Sequence, residues 1–159
     1  RDWMMITFAY EAGLRVGELV SLNIEDVDGK RVLEVIGKGN KLGALPLNAK
    51  AQLALKKYLP WRKAIKAQDI SALFLNRFGK RITTRAVEMN LKAWLKKAGI
   101  KTRLTPHSLR HTFGTHVLKT SRNNIRVAQK LLRHASVTTT QIYTHVDEEE
   151  TRAAVEFLD

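Results

Sequence analysis

The chain has 159 residues, 44% of them hydrophobic, and it contains no cysteine. This length predicts one domain, and the apolar content favours a folded globule over a disordered chain. The lack of cysteine excludes disulfide scaffolds, thiolate zinc sites and cysteine nucleophiles. No apolar run reaches the roughly 18 residues of a membrane span, so we expect no membrane partner. Because residue 1 is Arg and not Met, we expect a piece of a longer protein.

Positive charge is concentrated in one segment. The formal net charge is +13, and residues 70–146 hold fifteen Lys or Arg against one acid, Glu88. The rest of the chain holds thirteen bases and fourteen acids. Such a segment is typical of proteins that bind a phosphate backbone. A solvated, solubilising surface is the alternative, but such a surface would mix both signs.

The front of the chain predicts two helices followed by a β-hairpin. The first helix occupies the first dozen residues and ends near Gly13, and a short second helix covers residues 15–22. A turn signal follows at residues 26–29. Residues 32–36 then predict a strand, and residues 44–47 predict a short returning edge strand. A third strand could precede this hairpin.

The middle of the chain predicts a helix, an extended piece and a second helix. The first helix covers residues 49–59, where Pro60 breaks or restarts it. Residues 73–75 are extended. The second helix begins at a threonine cap, at position 83 or 84, and Gly99 stops it.

The last part of the chain is helical in its pattern. Thr105 as N-cap and Pro106 in the first turn are a strong start signal for a helix. Ser121 begins the next helix, which runs to about Leu132. A short helix follows residue 140, and the segment Glu148–Leu158 predicts the last helix. The expected fold is therefore mainly α with a small antiparallel β-sheet near the front, an α+β arrangement.

Three residues near the start of the Thr105 helix have the chemistry of an anion site. His107, Arg110 and His111 are spaced i, i+3 and i+4 in the first turns, where free backbone N–H groups favour a negative charge. Arginine supplies bidentate donors and histidine exchanges a proton near neutral pH, so the group describes a phosphate site. Metal binding by the two histidines is the weaker alternative, since Arg110 repels a cation. Taken alone, His111 and likewise His116 are interpreted as packed histidines.

A second group of polar residues lies farther along the chain. An apolar helix ends at His134, and Tyr143 follows nine positions later, after a run of threonines. In isolation such a tyrosine is interpreted as a core or interface residue. Only the residues that accompany it suggest a chemical role.

Four sequence blocks, in this order, resemble the tyrosine recombinases, also called the phage integrase family. AGLRVGEL, with Arg15, is similar to the block of the family's first arginine. VIGKGNK, followed by LPL, is similar to its hairpin with a catalytic lysine, here Lys38. LTPHSLRHTF is similar to its His-x-x-Arg block, and His134 and Tyr143 are similar to its last histidine and its nucleophile. Six matched positions in order, within residues 5–150, make the resemblance highly specific.

The resemblance implies a fold and a domain organisation. It implies that residues 1–159 form the C-terminal catalytic domain of a tyrosine recombinase, with the fold of the DNA breaking-rejoining enzymes. It also implies that the family's N-terminal DNA-binding domain is absent from this chain. The sequence departs from the family at Arg133, where glycine is usual. A left-handed backbone there would cost an arginine about 1 kcal/mol.

The resemblance also implies a reaction, in which DNA strands are cleaved and rejoined through a 3′-phosphotyrosyl link. No metal, cofactor or ATP is expected. Tyr143 would attack, two arginines would clamp the phosphate, and Lys38 would protonate the leaving 5′ oxygen. His107 would be the acid–base partner of the tyrosine, and His134 would donate to the phosphate. The implied catalytic residues are Arg15, Lys38, His107, Arg110, His134 and Tyr143.

A carboxylate accompanies the first arginine. Glu18 lies three residues after Arg15, on the same helix face, and is interpreted as orienting it. The alternative is an ordinary surface carboxylate.

Double-stranded DNA is the implied partner. The residues expected to contact it are Lys41, Arg77, Lys80, Arg81, Arg85, Arg103 and Arg133. Family members act as tetramers linked by an exchanged C-terminal segment, here Glu148–Leu158, which could equally pack on its own domain. Without DNA we expect this chain to be a monomer. The implied location is the bacterial cytoplasm, at the nucleoid, with the gene on a chromosome, phage or transposon.

Three other functions remain open at this point. Relaxation of supercoiled DNA, as in type IB topoisomerases, uses the same covalent step. A DNA-binding regulator that only keeps the fold would not need a tyrosine together with two arginines and two histidines. A metal hydrolase that uses the histidines would lose activity in a chelator.

Overall fold

The computed structural model describes residues 1–36, 42–102, 104–122 and 124–132. Helices and a two-stranded antiparallel sheet account for the regular structure of this part, as the sequence predicted. The elements are α1 (Asp2–Glu11), α2 (Val16–Ser21), β1 (Val32–Ile36), β2 (Leu42–Pro46), α3 (Ala49–Ala64), α4 (Thr84–Lys97), α5 (Pro106–Thr120) and α6 (Ile125–Leu132).

The end of α1 is a tight turn that only glycine fits well. Gly13 has a φ of +60°, a backbone conformation that costs other residues energy. A Cβ atom on Gly13 would also collide with the ring of Phe113 on α5. The turn therefore brings the segment between α1 and α2 directly against α5.

The hairpin pairs β1 with β2 in antiparallel register, from Val32 opposite Pro46 to Ile36 opposite Leu42. β2 begins two residues earlier than the sequence predicted, at Leu42 rather than Ala44. In the described part of the chain no third strand joins this sheet. The residues after α2 instead make an isolated bridge between Asn23 and Ala72.

α3 is one helix that continues through Pro60, so the prediction that this proline breaks or restarts it is wrong. Pro60 lies on the exposed face, together with Lys56, so water can solvate the carbonyl group that loses its helical partner. Beyond the proline, the buried Arg62 donates hydrogen bonds to the carbonyl groups of Asp69, Ile70 and Ala72. These contacts hold the last turn in place.

The later helices begin at side-chain caps. Thr83 accepts a hydrogen bond from the backbone of α4, and Thr105 does the same for α5. The predicted start of α6 at Ser121 is wrong by four residues, because Ser121 is the C-cap of α5. Asn124 takes over as the cap of α6, accepting from the N–H groups of Arg126 and Val127 at 3.1 and 3.4 Å.

One hydrophobic core joins these elements. It includes Phe8 of α1, Phe74 of the extended piece and Phe113 of α5, each at most 1% exposed. Because α1 contacts α2, α3, α4 and α5, the short segment that follows it occupies a central position. None of the helices in the described ranges is long and apolar enough to cross a membrane.

Candidate active site

Arg15 lies at the N-cap of α2, where the backbone is extended. Its N–H group donates to Oε2 of Glu18 at 2.7 Å, and its guanidinium Nη1 donates to Oε1 at 2.8 Å. Glu18 is 7% exposed, so the alternative of a surface carboxylate is wrong. The Arg15 side chain is 36% exposed. Glu18 thus binds both the backbone N–H group and the guanidinium group of Arg15, while part of the Arg15 side chain stays accessible to solvent.

Arg110 enters the same region from α5. A reciprocal cap between Thr105 and Ser108, followed by Pro106 in the first turn, fixes the start of this helix. The Arg110 side chain is 4% exposed, and its Nη1 donates to the carbonyl oxygen of Gly13. The same nitrogen lies 4.0 Å from Oε2 of Glu18.

The two arginines meet at the end of α6. The carbonyl oxygen of Leu132, the last residue of that helix, accepts a hydrogen bond from Nη2 of Arg110. Nη2 of Arg15 lies 3.5 Å from the same oxygen. A carbonyl oxygen carries partial negative charge, so guanidinium groups form charge-assisted hydrogen bonds with it. Three separate parts of the chain therefore converge on one point.

The three described histidines have different surroundings. His107, the second residue of α5, is exposed. His111 is also exposed, so its interpretation as a packed residue is wrong: its position on α5 faces away from the core that Phe113 joins. His116 is half-buried, its Nδ1 lies 3.2 Å from Oη of Tyr10, and the two rings meet edge to face, which confirms the packed interpretation. No cluster of three or more metal-binding side chains occurs among the residues that the structure describes.

The predicted DNA-contact residues divide into exposed and engaged side chains. Arg77, Lys80 and Arg85 are exposed. Arg81 instead donates to three carbonyl groups at the end of α2 and to Asn23, and it pairs with Asp69. Arg81 therefore has a role in holding α2.

Several predicted residues lie outside the described ranges. In the chain, two of them come between β1 and β2, one between α4 and α5, and three after α6. They are Lys38, Lys41, Arg103, Arg133, His134 and Tyr143. The two predicted C-terminal helices, including Glu148–Leu158, also lie there.

Sequence reasoning missed the groups that bring the arginines together. Two are backbone carbonyl groups, of Gly13 and Leu132, which no residue pattern identifies. The third is Gly114 of α5, where an added Cβ atom would lie 2.7 Å from Cδ1 of Leu132. A glycine inside a helical pattern was the available signal, because it often marks a close approach.

This arrangement has the chemistry of an oxyanion clamp. Two guanidinium groups with fixed donors suit a phosphate or another oxyanion, and their combined charge opposes a metal cation. Glu18 offsets part of that charge and fixes one guanidinium plane.

Comparison with known proteins shows the family of the chain. Residues 1–150 match the model of the phage integrase family. Over 148 residues the chain is 42% identical to the tyrosine recombinase XerC of Vibrio atlanticus (strain LGP32), a match that covers 92% of this chain and 47% of that protein. The chain therefore spans about half the length of the curated relatives that it matches.

Solved structures agree with the family match. The XerA recombinase superposes with a TM-score of 0.76 at 36% identity, covering 94% of this chain and 55% of XerA. The integrase of transposon Tn1549, in complex with circular intermediate DNA, superposes with a TM-score of 0.67 at 26% identity, covering 96% of this chain and 55% of the integrase. The fold of the chain is thus that of recombinase structures.

Proposed function

The chain belongs to the phage integrase family, the tyrosine recombinases, and from this premise we propose that it is the catalytic domain of a site-specific DNA recombinase. Residues 1–159 would form that domain. The observation that carries the proposal is the meeting of Arg15 and Arg110 at Glu18 and the Leu132 carbonyl group. Two guanidinium groups that lie close together can stabilise the negative charge that develops on a phosphate during its transfer to a side chain.

The proposed reaction exchanges one phosphoester for another. The phenol oxygen of Tyr143 attacks the phosphorus, and the bond from phosphorus to the 5′ oxygen breaks. The phenol gives up its proton and the leaving 5′ oxygen gains one, so atoms and charge balance. Attack by a 5′ hydroxyl of another strand reverses these steps, and the retained phosphoester makes an external energy source unnecessary.

Each proposed residue has a distinct task. Arg15 and Arg110 hold the non-bridging oxygens and stabilise the charge that develops on them. His107 serves as acid–base partner of the tyrosine, and its exposed place in the first turn of α5 suits a group that meets a substrate from outside. Lys38 protonates the leaving oxygen, and His134 donates to the phosphate. Glu18 positions Arg15.

The proposed partner is double-stranded DNA. The exposed Arg77, Lys80 and Arg85, together with Lys41, Arg103 and Arg133, would bind its phosphates. Support comes from the excess of positive charge in residues 70–146 and from the DNA bound to the Tn1549 integrase. By resemblance to the family, four copies of the full-length protein would assemble on two duplexes in a bacterial cell.

Covalent trapping tests the proposal. The protein is mixed in EDTA with supercoiled plasmid and with a panel of nicked duplexes, denatured in SDS and examined for protein-linked DNA. We expect an adduct with the wild type and none with Tyr143→Phe, which should still bind DNA. Tyr10→Phe is the matched control, because its hydroxyl contacts His116 and has no proposed part in the chemistry.

The outcomes separate the candidate functions. An adduct that survives in Tyr143→Phe would contradict the nucleophile, and DNA cleavage that EDTA abolishes would favour a metal hydrolase. Relaxation of plasmids of any sequence, without exchange between two sites, would favour a topoisomerase activity. DNA binding without an adduct on any substrate would favour a regulator.

A further inference from the structure

A buried polar pair links the arginine-bearing segment to the β-hairpin. Glu11, the last residue of α1, is 8% exposed, and Asn48, the N-cap of α3, is fully buried. The amide Nδ2 of Asn48 donates to Oε2 of Glu11 at 2.8 Å. A buried carboxylate destabilises the folded protein unless it is hydrogen-bonded. The hydrogen bond from Asn48 therefore offsets the cost of burying Glu11.

The orientation of Asn48 follows from its two partners. Its Oδ1 accepts from the N–H group of Ala51 at 2.9 Å, which caps α3, while Nδ2 faces the carboxylate. A flipped amide would place a donor against the Ala51 N–H and an acceptor against the carboxylate. One side chain thus begins α3 and also binds α1.

On the Glu11 side, the pair lies next to the arginine clamp. Ala12 caps α1, and Gly13 follows with its positive φ and its carbonyl group bound to Arg110. Arg15 comes two residues later. Any shift of Glu11 therefore acts on a backbone segment that holds both arginines.

On the Asn48 side, the pair lies at the base of the hairpin. Asn48 follows β2 after one residue, Leu47, whose N–H group donates to the carbonyl group of Arg31 at 2.8 Å. Val32 and Pro46, the neighbours of Arg31 and Leu47 in the chain, are the first pair of partners across the two strands. The pair therefore fixes the end of the hairpin at which both strands enter and leave the body of the domain.

We propose that Glu11 and Asn48 are a positioning pair that sets the β1–β2 hairpin relative to the Arg15–Arg110 clamp. This rests on the proposed function, in which the clamp holds the phosphate and Lys38, between β1 and β2 in sequence, protonates the leaving oxygen. Neither residue of the pair touches the substrate. Their effect is on the distance between the proton donor and the phosphate, and proton transfer is sensitive to small changes in distance.

Asn48→Asp breaks the pair without removing the cap. Aspartate caps a helix as well as asparagine does, and its charge suits a helix N-terminus, so α3 keeps its start. The new carboxylate faces that of Glu11 and repels it. In the double variant Glu11→Gln/Asn48→Asp, the glutamine amide donates to the aspartate, which restores one hydrogen bond and one negative charge with the two ends exchanged.

The experiment measures the rate of DNA cleavage on two forms of one duplex. This duplex is one that gives a Tyr143-dependent adduct in the trapping experiment. One has the ordinary phosphodiester, and the other has sulfur at the 5′-bridging position, a leaving group that needs no proton. We expect Asn48→Asp to lower the ordinary rate roughly ten- to a hundredfold, the range for a misplaced catalytic group. On the sulfur substrate we expect its rate to equal that of the wild type, as for Lys38→Ala, and the double variant to recover on the ordinary substrate.

Controls separate positioning from loss of structure. Tyr58→Phe, which removes a buried hydrogen bond between α3 and the carbonyl group of Leu73, should leave the ratio of the two rates unchanged. An Asn48→Asp rate that is unchanged, or that falls equally on both substrates, overturns the positioning role. No Tyr143-dependent adduct with the wild type overturns the proposed function, and the positioning role with it.

Discussion

The Leu132 carbonyl group shows how a backbone atom organises charged side chains. Arg110 is almost fully buried, and a guanidinium group stays charged at any pH that proteins meet, so its donors need acceptors inside the protein. Gly13 and Leu132 supply them, and Glu18 adds a negative charge close by. The clamp is therefore already arranged in the protein without DNA.

Tyr58 provides a test of stability at the residue scale. Its Oη donates to the carbonyl group of Leu73 at 3.0 Å, and burial raises its pKa to about 12, although the nearby Arg62 opposes this. The unfolded tyrosine has a pKa of about 10. A raised pKa in the folded state means that the neutral phenol stabilises the fold fully below pH 10, and that this contribution falls as the pH rises from 10 to 12.

We therefore expect Tyr58→Phe to lower the free energy of unfolding by about 1 kcal/mol at pH 8, the value of one buried hydrogen bond. At pH 11 the difference between wild type and variant should shrink, because the unfolded wild type gains stability by ionising. Urea unfolding of both proteins at the two pH values measures this. A difference that grows with pH would contradict the assignment.

At the scale of elements, the contact between α5 and α6 decides where the Leu132 carbonyl group lies. Gly114 is buried, and its missing side chain lets Leu132 approach α5 closely. Since Leu132 also holds both arginines, a small displacement of α6 changes the clamp. The packing of α6 against α5 therefore also determines the geometry of the arginine clamp.

Gly114→Ala should clearly reduce covalent DNA attachment, while it should lower the free energy of unfolding only slightly. Alanine favours a helix over glycine by about 1 kcal/mol, which offsets part of the 1–3 kcal/mol cost that overpacking typically carries. Thermal unfolding and adduct formation together measure the two effects. Gly17→Ala, with nothing within 4 Å of an added Cβ atom, is the matched control for stability.

A second substitution makes the Gly114 test specific. Leu132→Ala removes the atoms that the new methyl group meets, while the backbone carbonyl group stays. Adduct formation by Gly114→Ala/Leu132→Ala that exceeds that of Gly114→Ala alone is expected. Equal activity of Gly114→Ala and the wild type would mean that α6 moves without consequence for the arginines.

For the whole molecule, the uneven charge predicts how binding depends on salt. Each Lys or Arg that neutralises a phosphate releases counterions, so the logarithm of the binding constant falls linearly with that of the salt concentration. Arg85→Ala should weaken binding to all DNA sequences alike and reduce this slope by about 1. Fluorescence anisotropy with duplexes over a range of salt concentrations measures it.

Lys56→Ala is the control for charge alone. Lys56 is exposed on a helix, as Arg85 is, but it lies outside the basic segment. Its loss should leave the slope unchanged. An equal change in both variants would mean that only the total charge matters and that residues 70–146 form no DNA surface.

Most helix and strand positions followed from local chemistry. Thr83, Thr105 and Pro106 begin helices because their caps and fixed φ act within one turn, and Gly13 ends one because it tolerates positive φ. Local chemistry failed at Pro60, where the exposed position and the contacts of Arg62 outweigh the cost of a proline. It also failed at Ser121, which was predicted to begin α6 and is instead the C-cap of α5.

By itself, then, the sequence determined the order of the elements, the segment that carries the positive charge and the family, because each depends only on the types and the order of the residues along the chain. The tertiary structure decided which groups meet. It buried Glu18, exposed His111, and joined Arg15 to Arg110 through the Leu132 carbonyl group. It also joined Glu11 to Asn48. These contacts involve backbone atoms and buried surfaces from distant parts of the chain, and only packing of the whole domain brings them together.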